Sequence, residues 1–173
     1  MDLRVWTIGH STRTEGEFLD LLSENTIGAV ADVRRYPGSR RLPQFGSAAL
    51  AASLQAHGLE YLWLPGLGGR RSPLPDSPNT AWRSPSFRGY ADYLHTEPFA
   101  QSLATLVNLS CAIPTAIMCA EAVWWRCHRG LIADALRSLG FEVIHILGRG
   151  SVALHPYTAA ARMVGGQLSY ASP

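Results

Sequence analysis

No lysine occurs anywhere in the 173 residues, so all 15 basic side chains are arginines, and the formal net charge is only +2. Heavy use of Ala, Gly and Pro points to GC-rich coding as the cause. Codon bias does not explain the placement of Arg34-Arg35, Arg40-Arg41 and Arg70-Arg71 as pairs in presumed loops. Cysteine is scarce too. Cys111, Cys119 and Cys127 are odd in number, which argues against a disulfide framework and for thiols in a reducing compartment. No apolar run approaches the roughly 18 residues needed to span a bilayer. The first residues, Met1-Asp-Leu-Arg-Val5, lack the pattern of a signal peptide. A soluble, cytoplasmic protein with no membrane partner is expected. No internal repeat is visible, and Gly66-Leu-Gly-Gly69 leads into Arg and Pro rather than a helix, a poor dinucleotide fingerprint.

What is present reads as one globular unit. The composition, 47% hydrophobic and 16% charged with mean hydropathy +0.02, is ordinary for a folded chain. Such a length buries roughly 70% of its unfolded surface, enough for one core. Short apolar runs alternate with helical patterns. Strands are predicted at Arg4–Gly9, Gly28–Val33, Leu59–Leu64, around Ile117-Met118, and at Glu142–Ile146. Between them, Thr14-Glu-Gly-Glu17 fits a capping box, Ser47 is expected to cap an alanine-rich helix ending at Gly58, and helices are predicted over 87–96, 99–109 and up to Leu139. The expected fold is a single α/β domain over 1–173, with a mainly parallel, Rossmann-like sheet flanked by helices. A long Pro/Gly/Arg-rich loop, 65–86, interrupts it, and the tail from Gly148 is left unassigned.

Each of the first four strands delivers polar residues as it leaves the core. His10 and Ser11 follow the first, Asp32 and Arg34 close the second, Gly68 and Gly69 follow the third, and Cys119 and Glu121 end the fourth. In a parallel sheet these ends converge, and ligands bind there. Cys127, His128 and Arg129 would sit around the next helix N-terminus, where unpaired N–H groups favour an anion or a thiolate.

Taken jointly, Gly9-His10-Ser11, Asp32-Val33-Arg34 with Pro37, Ser39-Arg40 and Phe45, Leu67-Gly68-Gly69, Cys119-Ala-Glu121 and Cys127-His128-Arg129 make the chain resemble the domain-of-unknown-function 488 family over nearly its whole length. His145-Ile146 and His155-Pro156 resemble the family's end. The resemblance implies a compact α/β domain with a shared polar site, but no established activity. Trp124-Trp125 departs from the family's pattern and is expected to bear on substrate choice.

Glu121 is the favoured catalytic base, since partial burial beyond an apolar strand can tune a carboxylate towards neutral pH; an ion pair with Arg126 or Arg129 is the alternative. Asp32 could be a second carboxylate, suiting glycosidic chemistry, or could cap a loop. His128 and His10 could relay protons or serve structure. Cys127, beside Arg129 at a helix start, is the better nucleophile of the thiols, and Cys119 is expected to be packed. Six residues separate Cys119 from Arg126, one too many for a cysteine phosphatase loop. Cys119, Cys127, His128 and His10 lack the compact spacing of a zinc site, so no metal is expected, and no cofactor. The arginines, with Arg34, Arg40, Arg41 and Arg129 foremost, could bind phosphates while Tyr36, Phe45, Trp82, Trp124 and Trp125 stack on a base. The leading expectation is therefore an enzyme hydrolysing an N-glycosidic bond in a nucleic acid, DNA above all, in the manner of a base-excision DNA glycosylase, or in a nucleotide-like anion. A cysteine-thiol enzyme acting on an anionic substrate, and a non-catalytic nucleic-acid-binding module, are the alternatives.

Overall fold

The computed structural model describes residues 3–173, so the reading of Met1 and Asp2 lies outside the described residues. Five parallel strands form the sheet: β1 (Arg4–Gly9), β2 (Ala29–Asp32), β3 (Glu60–Trp63), β4 (Thr115–Cys119) and β5 (Glu142–Gly148). A sixth, β6 (Ser151–Leu154), runs antiparallel along β5. The order is β3-β2-β4-β1-β5-β6. β4 thus enters between β2 and β1, with Gly9 beside Cys119 and Asp32 beside Met118. That insertion, more than parallelism alone, sets the ends of three polar-tipped strands next to one another.

Strands this apolar must be covered on both faces. Alternate residues do so: Ile8, Val30, Ala116 and Met118 pack on one side against α1 (Glu15–Glu24) and α2 (Ser47–Ala56). Val5, Ala31, Ile117 and Val143 pack on the other against α3 (Pro85–Tyr93), α4 (Glu97–Ala112) and α5 (Arg129–Ser138). Thr14 and Glu17 close the expected capping box at α1. At α2 the expectation fails: Gly46 takes the cap position and Ser47 is already helical, so no side chain caps this end. Thr96 caps α4 instead, with its oxygen accepting from Phe99 N–H.

The unassigned tail is ordered by hydrogen bonds rather than by apolar periodicity. It forms β6 and a hairpin of β7 (Arg162–Val164) and β8 (Gln167–Ser169). Asp134 of α5, fully buried, accepts from Thr158 N–H at 2.9 Å, Thr158 Oγ1 at 2.5 Å and the Tyr170 hydroxyl at 2.7 Å. His155 Nε2 lies 2.7 Å from the same carboxylate. His155 Nδ1 meets His145 Nε2 at 2.8 Å, and His145 Nδ1 meets Thr7 Oγ1 at 2.5 Å, so a buried chain of polar groups runs from α5 through β5 to β1. Among the described residues, no helix is long and apolar enough to cross a membrane.

Candidate functional site

A cavity of about 790 Å³ opens at the carboxyl ends of β1, β2 and β4. That is a size suited to a nucleotide or another small molecule. Its wall brings together His10, Ser11, Arg34, Gly69, Cys119 and Glu121, and also Cys127 and His128. Residues from four strand ends and one helix start therefore share one pocket, as expected. Arg40 and Arg41 line it from the 34–45 loop, exposed and without an ion pair among the described residues. Arg35 and Arg70 line it as well, linked through Arg35 Nη1 donating to Arg70 O at 2.8 Å and both lying over Tyr36.

Two glycines hold this geometry by close approach. A Cβ on Gly9 would lie 1.7 Å from the Glu121 carbonyl oxygen, so the β4 loop closes over β1 only because that side chain is missing. A Cβ on Gly69 would press 2.9 Å from His128 Nδ1. Gly68 packs on the Arg35 backbone and does not line the pocket, so its expected contact with substrate is corrected to a supporting one.

Asp32 is the main correction. It is fully buried and spent on structure: Arg34 Nε and Nη2 donate to its two oxygens at 2.9 and 2.7 Å, Arg34 N–H at 3.1 Å and the Tyr61 hydroxyl at 2.6 Å. It does not line the pocket and leaves no lone pair for a water. Burial works against the Arg34 charge, but Asp32 outweighs it and raises the guanidinium above its ordinary value. Arg34 Nη1 then points at His10 Nε2, 3.4 Å away. His10 Nδ1 lies 2.9 Å from Ser11 O, which fixes the proton on Nδ1 and leaves Nε2 to accept. Burial lowers the His10 pKa, so the ring, stacked at 4.5 Å on Phe45, stays neutral.

Glu121 reaches the pocket as expected but is exposed rather than half-buried. Its carboxylate makes no ion pair among the described residues; Arg129 instead donates to the Glu121 and Ala122 carbonyl oxygens at 3.1 and 3.2 Å. Arg129, 1% exposed, lies behind the pocket rather than in it, and among the described residues it has no carboxylate partner and its Nε no acceptor. Trp124 and Trp125 do not line the pocket either: Trp124 stacks at 4.8 Å and 7° on His145, and Trp125 points to solvent. Trp82 is likewise committed, packed between Phe87 and Tyr170, and Phe45 is buried.

The thiols are the feature that spacing did not reveal. Cys127 Sγ lies 2.8 Å from Cys119 Sγ, and both are buried at the pocket wall. Burial opposes ionisation of Cys119, but the Cys127 S–H and the Arg129 charge outweigh it and lower its pKa below the ordinary thiol value. Burial, reinforced by Cys119, pushes Cys127 well above it. Cys127, expected as the better nucleophile, is thus held against ionisation, while Cys119, expected only to be packed, is the thiol whose ionisation is eased. Cys127 does receive the Arg129 N–H at 3.4 Å, the helix-start contact expected for it, but the two sulfurs lie too close to titrate independently and behave as a pair. His128 donates from Nε2 to Val33 O at 3.0 Å and turns Nδ1 to Cys127 Sγ at 3.5 Å. Burial lowers its pKa to about 4, so it is neutral. Among the described residues, no group of three or more His, Cys, Asp or Glu is arranged to hold a metal ion.

Fold and site together define a parallel α/β domain with an arginine-rimmed, thiol-floored pocket at the carboxyl edge of its sheet. The chain belongs to the family described as domain of unknown function DUF488, whose pattern matches residues 15–136. The match takes in Arg34, Cys119, Glu121, Cys127 and Arg129, while His10, His145 and His155 lie outside it. No curated protein and no solved structure matches the chain.

Proposed function

We propose that this protein is an enzyme that draws an anionic substrate into the arginine-rimmed pocket and acts on it with a thiolate at Cys119. One observation carries the reading: a buried guanidinium, Arg129, has no carboxylate partner among the described residues and sits where its charge acts on Cys119. Burying a charge without a counter-charge costs several kcal/mol even after relaxation. A thiolate beside it removes that cost and is at the same time the reactive form of cysteine. Arg35, Arg40, Arg41 and Arg70 at the mouth suit phosphate or carboxylate groups, and three thiols suit a reducing, cytoplasmic setting.

A second reading keeps N-glycosidic hydrolysis of a nucleic acid or nucleotide, with Glu121 activating water. Its support is that Glu121 lines the pocket with an unpaired carboxylate. Asp32 is committed to Arg34, so this chemistry would rest on one carboxylate. Oligonucleotides carrying damaged bases separate the two readings when offered to Cys119→Ser and Glu121→Gln proteins of verified fold. On the thiolate reading, no abasic sites form with either protein or the parent. Abasic sites formed by the parent and the serine variant, and cut roughly 100-fold or more in the glutamine variant, would replace it with the carboxylate reading.

A further inference from the structure

Cys119 and Cys127 are placed for a reaction that needs both. Cys119 ends β4, and Cys127 stands just before α5, so the loop 120–126 leaves the strand and returns its far end onto it. The two sulfurs lie 2.8 Å apart without a bond between them. Sulfur movement of less than about 1 Å would bring them to bonding distance. The lowered pKa of Cys119 and the raised pKa of Cys127 match the two roles that thiol–disulfide exchange requires, an attacking thiolate and a second thiol that resolves. Both line a pocket whose mouth carries Arg35, Arg40, Arg41 and Arg70, and whose rim offers Tyr36 and Phe87 to a flat or apolar group.

We infer that Cys119 and Cys127 form a dithiol site that reduces small anionic disulfides, closing into an intramolecular disulfide at the pocket floor. The inference rests on the thiolate reading and adds to it the substrate class and the second cysteine. The Cys119 thiolate attacks one sulfur of R–S–S–R; the S–S bond breaks and the first RS⁻ leaves. The Cys127 S–H proton passes to that thiolate, through His128 Nδ1 or directly, and the Cys127 sulfur attacks the Cys119 sulfur. The second RS⁻ leaves and takes up the proton that Cys119 had lost to solvent. In sum, two protein thiols and R–S–S–R give a protein disulfide and two RSH, with the substrate reduced by two electrons and the protein oxidised by two. Exposed Cys111 takes no part.

The test uses the full chain carrying Cys111→Ser, fully reduced and folded, with dithiobis(nitrobenzoate) as an anionic disulfide. The expected result is release of two nitrothiobenzoates per chain, no retained adduct, and a mass loss of two hydrogens. Adding Cys127→Ser should give one release and a stable adduct on Cys119. Adding Arg40→Ala and Arg41→Ala should slow the reaction several-fold with this reagent, and much less with an uncharged disulfide. If iodoacetamide alkylates Cys119 at neutral pH but the disulfide reagent leaves adducts without closure, the dithiol inference fails and the thiolate reading stands. If neither reagent reaches either sulfur until the chain is unfolded, both fail. A fold check by circular dichroism on each variant keeps the last outcome decisive.

Discussion

The protein buries two polar clusters that meet on one helix, and they are built on opposite rules. Around Asp134, every group finds a partner: Thr158, Tyr170 and His155 satisfy the carboxylate, and His145 and Thr7 extend the chain. This cluster is closed to solvent and pins the tail to the sheet. Around Cys119, the opposite holds: among the described residues a guanidinium lacks an acid and one of its nitrogens an acceptor, and two thiols crowd together at the wall of an open pocket. Satisfied networks fix structure, whereas charges left without protein partners must be met by something else. Arg129 and Asp134 are five positions apart on one helix, so α5 serves both ends.

The largest effect should come from breaking the closed cluster. Asp134→Ala leaves Thr158, Tyr170 and His155 without their acceptor and should cost about 3–5 kcal/mol of folding stability. Denaturant unfolding would show it, with hydrogen exchange rising across 155–173 while the thiols of the folded fraction react as before. Equal loss of thiol reactivity in folded molecules would mean the two clusters are not separable.

Acid should act on both clusters through neutral histidines. Burial lowers His128 to about 4 and His145 to about 2, and lowers His10. Above the ordinary imidazole value of about 6.5, neither folded nor unfolded chains protonate these rings. As pH falls below it, the unfolded chain takes up protons that the folded one refuses, so stability is lost. The slope should be about 1.4 kcal/mol per pH unit for each of His128 and His145 between pH 6.5 and about 4, with His10 adding to the loss in the same direction. His145→Asn or His128→Asn should each remove one such increment; a flat profile over that range would contradict the assignment of neutral rings.

Arg129→Met tests the open cluster with less effect on the fold, because an unpaired buried charge is exchanged for a side chain of similar volume. Alkylation of Cys119 at neutral pH should slow, because the charge that favours its thiolate is gone. The smallest effect is expected at the rim. If the pocket mouth also holds duplex DNA, replacing Arg40 and Arg41 by Ala should lower the log-log salt slope by about 0.9 per lost contact. An unchanged slope would confine these arginines to small anions.

Much of this arrangement is legible in the sequence, and the rest depends on distances that no spacing reports. The β4 to α5 junction stands out because an apolar run meets a dense set of reactive side chains, and the capping box of Thr14 and Glu17 is a local signal. Asp32 and Arg34 were readable as partners too: residues two apart on an extended segment share a face, and a carboxylate inside an apolar run needs a cation. Reading Asp32 as a second catalytic carboxylate passed over the nearer demand. The thiol contact was not readable, since it depends on how 120–126 folds back, helped by a glycine 110 positions before Cys119 that lets Glu121 approach. The tail was opaque for a similar reason. Its strands are short and exposed, and its anchor is Asp134, over 20 residues away.

On the proposed function, Cys119 carries the thiolate and Arg129 sustains it. The direct measurement is the pH dependence of iodoacetamide alkylation at each cysteine, resolved by peptide mass spectrometry, in the parent chain and in Arg129→Met. Cys119 should react first, with a midpoint below the ordinary thiol value, Cys127 should react far more slowly, and the Cys119 midpoint should rise in the variant. Faster labelling of Cys127, or a Cys119 midpoint unmoved by the loss of Arg129, would contradict it.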